Sequence, residues 1–239
     1  LWRERFINKK FPKEIPKGNF IYFPLHTDEE RALLITAPFY TNQIEIIKHI
    51  VKSLPIGYKL VLKDHVVAKL RGWRSIKEYK EMLSLPNVIL IHPYVKSSEI
   101  IKKCDLVISI NSTTSLESLF YGKPSITFVK KHYSKLTSCL LVDDINNLPK
   151  LIRQGLNTNV EPSEIKNYIE YLEKELFDFN YFEFVTNYGL KFHCGGNLVD
   201  VDINENKMKE FLLEHKKTFD RLALEYKRKI IQHENFLNK

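Results

Sequence analysis

Residues 108–128, ISINSTTSLESLFYGKPSITF, place the tightest limit on the fold, because they form one complete strand, turn, helix and strand unit. The apolar, β-branched start predicts a buried strand. Apolar side chains then recur at helical spacing over residues 116–120, and Gly122 and Pro124 end the helix before a second strand. A polar, hydroxyl-rich turn at residues 111–115 joins the first strand to the helix.

This turn supports two interpretations. Backbone N–H groups at the start of a helix, with hydroxyl groups beside them, suit a phosphate or another anion. Ser112 or Thr113 would equally serve as an ordinary helix cap, which is the common role of these residue types. The choice depends on what the rest of the chain brings to the same place.

Strands and helices alternate from residue 19 to about residue 143. The predicted strands are apolar without clean alternation, at residues 19–23, 58–63, 88–92 and 106–110. This pattern is typical of strands that are covered on both faces. The sequence therefore predicts an α/β fold with a doubly wound parallel sheet.

Beyond this region the pattern is helical. Helices are predicted at residues 145–154 and 163–176, and one long amphipathic helix at residues 205–233. An aromatic segment at residues 177–202 is either a surface for another domain or local packing under the last helix.

Polar side chains collect at the C-terminal ends of the predicted strands, at His26, residues 63–65, residues 92–94 and residues 111–115. In open parallel sheets, ligands bind beyond these ends, near the point where the strand order reverses. We therefore expect Lys63, His65 and the turn to converge, although strand-end loops are often polar in any protein. His26 is either a substrate-binding side chain or a cap on its strand.

The charge and the cysteine content of the chain limit the kinds of ligand and the cell compartment that fit it. The net charge of +8 indicates an anionic partner, which is a phosphorylated small molecule, a nucleic acid or a membrane face. Three cysteines without paired spacing predict reduced thiols and a cytosolic protein. No His, Cys or Asp cluster has the spacing of metal ligands, so no metal is expected. The chain begins without Met, and we expect an N-terminal part to precede it.

Six stretches together resemble the capsule polysaccharide biosynthesis family, which includes Kdo transferases. They lie in order at residues 22–30 (YFPLHTDEE), 37–43 (APFYTNQ), 53–65 (SLPIGYKLVLKDH), 72–82 (GWRSIKEYKEM), 85–93 (LPNVILIHP) and 108–124. The resemblance implies the C-terminal, donor-binding half of a glycosyltransferase of GT-B architecture. It identifies residues 19–155 as a Rossmann-like nucleotide-sugar-binding domain. The composition of residues 1–18 predicts a linker or the end of a missing part, and the helical pattern predicts a helical extension at 156–239.

The resemblance also implies roles for individual residues. Lys63 and His65 match a basic pair that would contact the donor phosphate and stabilise charge on the leaving group. Ser112, Thr113 and Thr114 match a turn whose amides face that phosphate, and Glu117 matches an acidic position that commonly holds a ribose. The strand-end residues His26 and Tyr94 complete the expected donor-binding set.

Two departures from the family pattern leave an alternative open. Asp64 replaces the usual Glu, and the turn carries hydroxyl residues where the family usually has glycine. Side chains there either hinder the approach of a phosphate to the backbone or add hydroxyl donors. The alternative to a transferase is therefore a degenerate domain that serves in binding or assembly. A nucleic-acid binder is a weaker reading, suggested only by charge.

The partners implied are a nucleotide-sugar donor, CMP-linked in the Kdo enzymes, a glycan or glycolipid acceptor, and the missing N-terminal domain. No cofactor and no nucleic acid are expected. The predicted location is the cytoplasm, with association at the inner face of the membrane left open. The residues do not identify the sugar.

Overall fold

The computed structural model describes residues 2–27, 31–69, 73–193 and 202–237. The sheet contains β1 (Phe20–Pro24), β2 (Lys59–Lys63), β3 (Val88–Ile91), β4 (Leu106–Ser109), β5 (Ser125–Thr127) and β6 (Cys139–Leu141). Neighbouring strands pair in parallel throughout, in the order β3-β2-β1-β4-β5-β6. The predicted parallel sheet is therefore confirmed.

Helices connect the strands and continue after the sheet. They are α1 (Trp2–Lys10), α2 (Arg31–Leu34), α3 (Gln43–Ser53), α4 (Ile76–Ser84), α5 (Ser97–Lys103), α6 (Thr114–Phe120), α7 (Leu148–Leu156), α8 (Pro162–Glu175), α9 (Tyr181–Phe192), α10 (Glu205–Glu214) and α11 (Lys216–Leu237). Short 3-10 turns lie at Pro38–Tyr40, Val66–Lys69, His132–Lys135 and Ile145–Asn147.

Successive side chains of β1, β2, β3 and β4 enter two separate cores. Ile21 and Phe23 of β1 lie in the larger core with residues of α1, α3, α4 and α7. Phe20 and Tyr22 lie in the smaller core with residues of α5. Both faces of the sheet are thus covered, which explains why the strands lack alternation of polar and apolar residues.

Strand order positions the site. β1 lies at the centre, and the chain moves outward first through β2 and β3 and then, in the other direction, from β4 to β6. The order reverses between β1 and β4, and a crevice forms there beyond the C-terminal ends of the strands. Loops that follow β1, β2 and β4 must therefore approach one another.

Helix starts follow local capping rules in some places only. Ser75 and Glu78 form a reciprocal capping box at the start of α4, as the sequence predicts. Asn42 caps α3, and its side chain accepts the Glu45 N–H. The N-cap of α5 is Lys96, without a side-chain bond. Ser97 and Ser98 are of the residue type that commonly caps helices, and their position after Lys96 predicts a cap that the structure does not show.

Two compact units divide the chain, Leu1–Tyr168 and Ile169–Lys239. The division lies thirteen residues later than the predicted boundary after residue 155, because α7 and the start of α8 belong with the sheet. Residues 1–18 also differ from a linker. Ile7 of α1 and Phe11 are almost fully buried in the larger core, so this segment is part of the first unit.

The second unit is helical over its described residues, as predicted. The rings of Phe184, Phe192 and His215 lie 4.4–5.8 Å from the buried ring of Phe211, measured between centroids. Part of the aromatic segment therefore serves local packing. The predicted single helix at residues 205–233 is two helices, because the chain breaks at His215. Residues 194–201, including Cys194, lie outside the described ranges.

Candidate functional site

A cavity of about 390 Å³ opens at the C-terminal edge of the sheet, where the strand order reverses. Its walls come from the ends of β1, β2 and β4, the start of α5 and the first turns of α6. The lining residues are Tyr22, Pro24, Leu25, His26, Lys63, Asp64, His65, Ser97, Asn111, Ser112, Thr113, Thr114 and Glu117. Seven of the eight site residues predicted from the sequence therefore surround one cavity.

Lys63 is the buried cation of this cavity. It is the last residue of β2 and is only 7% exposed. Its Nζ donates a hydrogen bond to Ser97 Oγ at 3.0 Å. Within the described ranges, no Asp or Glu forms an ion pair with it. Burial lowers the pKa of Lys63, and the more distant Asp64 and Glu117 carboxylates only partly offset this effect.

Asp64 fixes the loop that follows Lys63. Its carboxylate is 1% exposed and accepts hydrogen bonds from Tyr79 Oη at 2.6 Å and from the His65 N–H at 2.9 Å. Arg74 Nε lies 3.6 Å from the Asp64 Oδ2 atom, and Arg74 also donates to the His26 carbonyl. Asp64 thus holds the loop after β2 in place through its buried contacts. The replacement of the family's usual Glu by the shorter Asp therefore leaves the loop ordered.

His65 is exposed at the cavity wall. Its Nδ1 accepts the Val67 N–H at 3.2 Å, so a neutral ring carries its proton on Nε2. That nitrogen is then a hydrogen-bond donor. The geometry suits an anionic ligand better than a cation.

The turn at residues 111–115 differs from the expected amide cradle. Four of its five amides already donate within the protein: Asn111 to His26 Nε2, Ser112 to Ser109 Oγ, Thr114 to Ser112 Oγ and Ser115 to the Ser112 carbonyl. Two of these four acceptors, Ser109 Oγ and Ser112 Oγ, are serine hydroxyl oxygens that glycine would not supply. Thr113 caps α6 without a side-chain bond and is exposed, so its hydroxyl remains at the cavity.

The turn needs no glycine for its backbone. Among the described residues, Trp73 and Asn87 are the non-glycine residues with positive φ, and neither lies in this turn. Thr113 has φ −62° and ψ −14°, which any residue adopts. The missing glycines therefore impose no backbone strain.

Glu117 and His26 both line the cavity, but Glu117 is partly exposed whereas His26 is held by hydrogen bonds within the protein. Glu117 lies in the first turn of α6 and is partly exposed. His26 is 7% exposed, and Gln43 binds both its N–H and its carbonyl. Because His26 Nε2 accepts the Asn111 amide at 3.3 Å, this ring links the ends of β1 and β4. These contacts fit the second of the two predicted roles of His26, a cap at the end of its strand.

Tyr94 is the predicted site residue that does not line the cavity. It is 53% exposed, and its hydroxyl accepts a hydrogen bond from Lys69 at 3.3 Å. Its ring lies 5.2 Å from the His92 ring, between centroids. The 92–96 loop directs Tyr94 towards Lys69, and Ser97 occupies the position nearer to Lys63.

Sequence reasoning missed Ser97 and Tyr22. In the sequence, Ser97 has the pattern of a helix cap and Tyr22 that of one apolar residue in a strand. A hydroxyl inside a fully buried strand needs a hydrogen-bond partner, and that requirement was the available signal. Tyr22 is 0% exposed and its hydroxyl lies 3.4 Å from Ser97 Oγ.

Other functional groups are scarce in the described part of the chain. No cluster of three or more His, Cys, Asp or Glu side chains is arranged to hold a metal ion there. Burial raises the pKa of the Cys104 thiol to about 12, so this cysteine is a poor nucleophile. None of the described helices combines the length and the apolar character needed to cross a membrane.

Comparison with known proteins gives one family match. The sequence model of the family described as capsule polysaccharide biosynthesis protein matches residues 1–138. This match covers more than half of the 239 residues. Among curated proteins, none matches the chain.

Solved structures give weaker likenesses. UDP-GlcNAc 2-epimerase from Methanocaldococcus jannaschii is 18% identical, with a TM-score of 0.47, over 66% of this chain and 43% of that one. The β-Kdo 2,7-transferase KpsC from Thermosulfurimonas dismutans is 19% identical, with a TM-score of 0.43, over 62% and 48%. UDP-GlcNAc 2-epimerase from Neisseria meningitidis, bound to UDP-GlcNAc, is 18% identical, with a TM-score of 0.42, over 72% and 49%. The chain spans less than half the length of each, and at these values the likenesses carry no functional argument.

Proposed function

The chain belongs to the capsule polysaccharide biosynthesis family, and we propose that its cavity binds the phosphate of a nucleotide-activated sugar. On this proposal the chain is the donor-binding half of a glycosyltransferase that builds a capsule or another surface polysaccharide. The acceptor, a glycan or glycolipid, would be held by a second domain across the cleft. We do not expect sugar transfer by this chain alone.

Lys63 is the observation that carries the proposal. An ammonium group buried without a counter-ion costs several kcal/mol, so a folded protein rarely keeps one without a use. Lys63 lacks a carboxylate partner in the described chain and lies in the wall of an open cavity. A phosphate in that cavity would supply the missing negative charge.

The same geometry suits the chemistry of sugar transfer. Negative charge builds on the leaving phosphate as the glycosidic bond to the nucleotide breaks. Lys63 would stabilise that charge, and His65 would donate a hydrogen bond to it through Nε2. The hydroxyl groups of Thr113 and Thr114 would add donors in place of the turn amides. Fixed donors of this kind need no metal ion, and none is proposed.

The degenerate alternative draws no support from backbone strain in the turn, although the occupied turn amides leave a phosphate to be bound by side chains. It was based on the missing glycines, and residues 111–115 adopt ordinary backbone angles without them. The nucleic-acid alternative is based on the net charge of +8 alone. A cytoplasmic location, at the membrane surface or away from it, remains a prediction.

Calorimetric titration tests the proposal. CMP, UDP, inorganic phosphate and a single-stranded DNA oligonucleotide would be titrated into the wild-type protein at low salt. We expect CMP or UDP to bind more tightly than phosphate, because the cavity also holds groups for the nucleoside. Binding of DNA alone, or of none of these ligands, would contradict the proposal.

Glu117→Ala should separate the two parts of the ligand. Glu117 is proposed to accept a hydrogen bond from a ribose hydroxyl, since a carboxylate beside a phosphate would be repelled. Loss of one hydrogen bond to a charged group should weaken the affinity for CMP or UDP roughly tenfold. The affinity for inorganic phosphate should stay the same or rise.

The exposed Glu99→Ala variant, on α5, is the matched control for the charge change. Equal weakening of nucleotide and phosphate in Glu117→Ala would show that this residue does not face the nucleoside.

A further inference from the structure

Ser97 joins two buried polar groups at the cavity wall. Its Oγ accepts hydrogen bonds from Lys63 Nζ at 3.0 Å and from the Tyr22 hydroxyl at 3.4 Å. Ser97, in α5, lies 75 positions after Tyr22 of β1 and 34 positions after Lys63 of β2. All three line the cavity.

The hydrogen-bonding capacity of a serine hydroxyl shows what remains available. A hydroxyl has two acceptor lone pairs and one O–H donor. The two bonds from Lys63 and Tyr22 use both lone pairs. Ser97 does not cap its helix, and in the part of the chain that the structure describes its O–H donates to no protein acceptor.

The hydrogen of the Ser97 hydroxyl therefore points away from the two groups that donate to it, Lys63 Nζ and the Tyr22 hydroxyl. Because Ser97 lines the cavity, that hydrogen is available to a ligand atom there. Hydrogen bonds received from a cation and from a phenol polarise the O–H and make it a stronger donor. An anionic oxygen group that accepts from both this O–H and the Lys63 ammonium would also offset the buried positive charge, which a neutral acceptor would not.

We propose that Ser97 is a ligand-binding residue whose hydroxyl donates to the same phosphate group that Lys63 binds, with Tyr22 fixing its orientation. This inference rests on the proposed function, because it presupposes a phosphate in the cavity. It replaces the predicted amide cradle with a hydroxyl donor from a different helix.

The test measures dissociation constants of Ser97→Ala for inorganic phosphate and for CMP or UDP, whichever nucleotide the wild-type protein binds more tightly. We expect both constants to rise about tenfold, the loss typical of one hydrogen bond to a charged group. The rise should be similar for both ligands, since both present phosphate oxygens. Ser97→Thr, which keeps the hydroxyl, should bind close to the wild-type level.

Ser98→Ala is the matched control, because Ser98 is the next residue of the same helix and does not line the cavity. It should leave both constants unchanged. Tyr22→Phe should weaken binding less than Ser97→Ala, and it should have no further effect when Ser97 is already alanine.

A double variant separates ligand contact from mere support of Lys63. If Ser97 contacts the ligand, adding Ser97→Ala to Lys63→Met should weaken nucleotide binding further. If the added substitution has no effect, Ser97 acts only through Lys63 and the inference is overturned. Unchanged affinity in Ser97→Ala, with weakened affinity in Lys63→Met, would overturn this inference but leave the proposed function intact. No binding by the wild-type protein would overturn both.

Discussion

Arg74→Met is expected to lower the free energy of unfolding by about 3–5 kcal/mol, the usual cost of leaving one charge of a buried pair uncompensated. Arg74 is 8% exposed and Asp64 is 1% exposed, and Arg74 Nε lies 3.6 Å from the carboxylate. Without the guanidinium, the Asp64 charge stays buried beside the Tyr79 hydroxyl, and the His26 carbonyl loses a donor. Urea unfolding followed by circular dichroism would measure the change.

The exposed pair of Lys102 and Glu99 gives the matched control. Its nitrogen and oxygen lie 2.9 Å apart, but both side chains are about half exposed. Glu99→Gln should therefore change the free energy of unfolding by less than about 1 kcal/mol. A loss below about 1 kcal/mol in Arg74→Met as well would mean that the Asp64 pair does not hold the loops together.

Lys63→Met is expected to have opposite effects on binding and on stability. Removal of a charge-assisted hydrogen bond worth roughly 1.5–3 kcal/mol should weaken nucleotide and phosphate binding by about 10- to 150-fold. The free energy of unfolding should be unchanged or higher, by up to about 4 kcal/mol, because methionine fills a similar volume without a buried charge. Calorimetry and urea unfolding measure the two effects on the same sample.

The pH dependence of stability has a defined sign. Burial lowers the pKa of Lys63, so the folded protein releases this proton at a lower pH than the unfolded chain does. Between those two pKa values the unfolded state binds more protons, and this residue makes stability rise with pH. Lys63→Met should lack that rise. In the wild-type protein, phosphate affinity should fall over the alkaline range as the ammonium loses its proton.

Lys59→Met controls for the loss of a charge. Lys59 begins the same strand, at the opposite edge of the sheet, and is exposed. It should change neither affinity nor stability by a measurable amount at moderate salt. If Lys63→Met and Lys59→Met weakened binding equally, the effect would come from net charge rather than from the cavity.

The sequence was sufficient for the fold and for the convergence of seven predicted residues at one cavity. Uninterrupted apolar strands predicted a sheet covered on both faces, and parallel pairing then required the loops after β1, β2 and β4 to meet. The family suggested by six stretches is confirmed by the match over residues 1–138. That match includes residues 1–18. Their basic, proline-containing sequence predicts a linker, but two apolar residues in it, Ile7 and Phe11, enter the core.

Details that depend on distant contacts were not predictable. Ser97 looks like a cap because the sequence does not show that Lys63 lies 3.0 Å away. The amides of the turn are expected to be open to a ligand, but the hydroxyl oxygens of Ser109 and Ser112 accept two of them, from Ser112 and Thr114. The break between α10 and α11 at His215 has no glycine or proline to mark it.

The most direct test of the central claim is a crystal structure of the chain with CMP or UDP, whichever binds more tightly in solution. We expect the phosphate in the cavity at the reversal of strand order, within hydrogen-bond distance of Lys63 Nζ and the Ser97 hydroxyl, with the ribose beside Glu117. A nucleotide bound at any other place on the molecule, with Lys63 still covered only by Ser97, would contradict the claim that this cavity is the donor site.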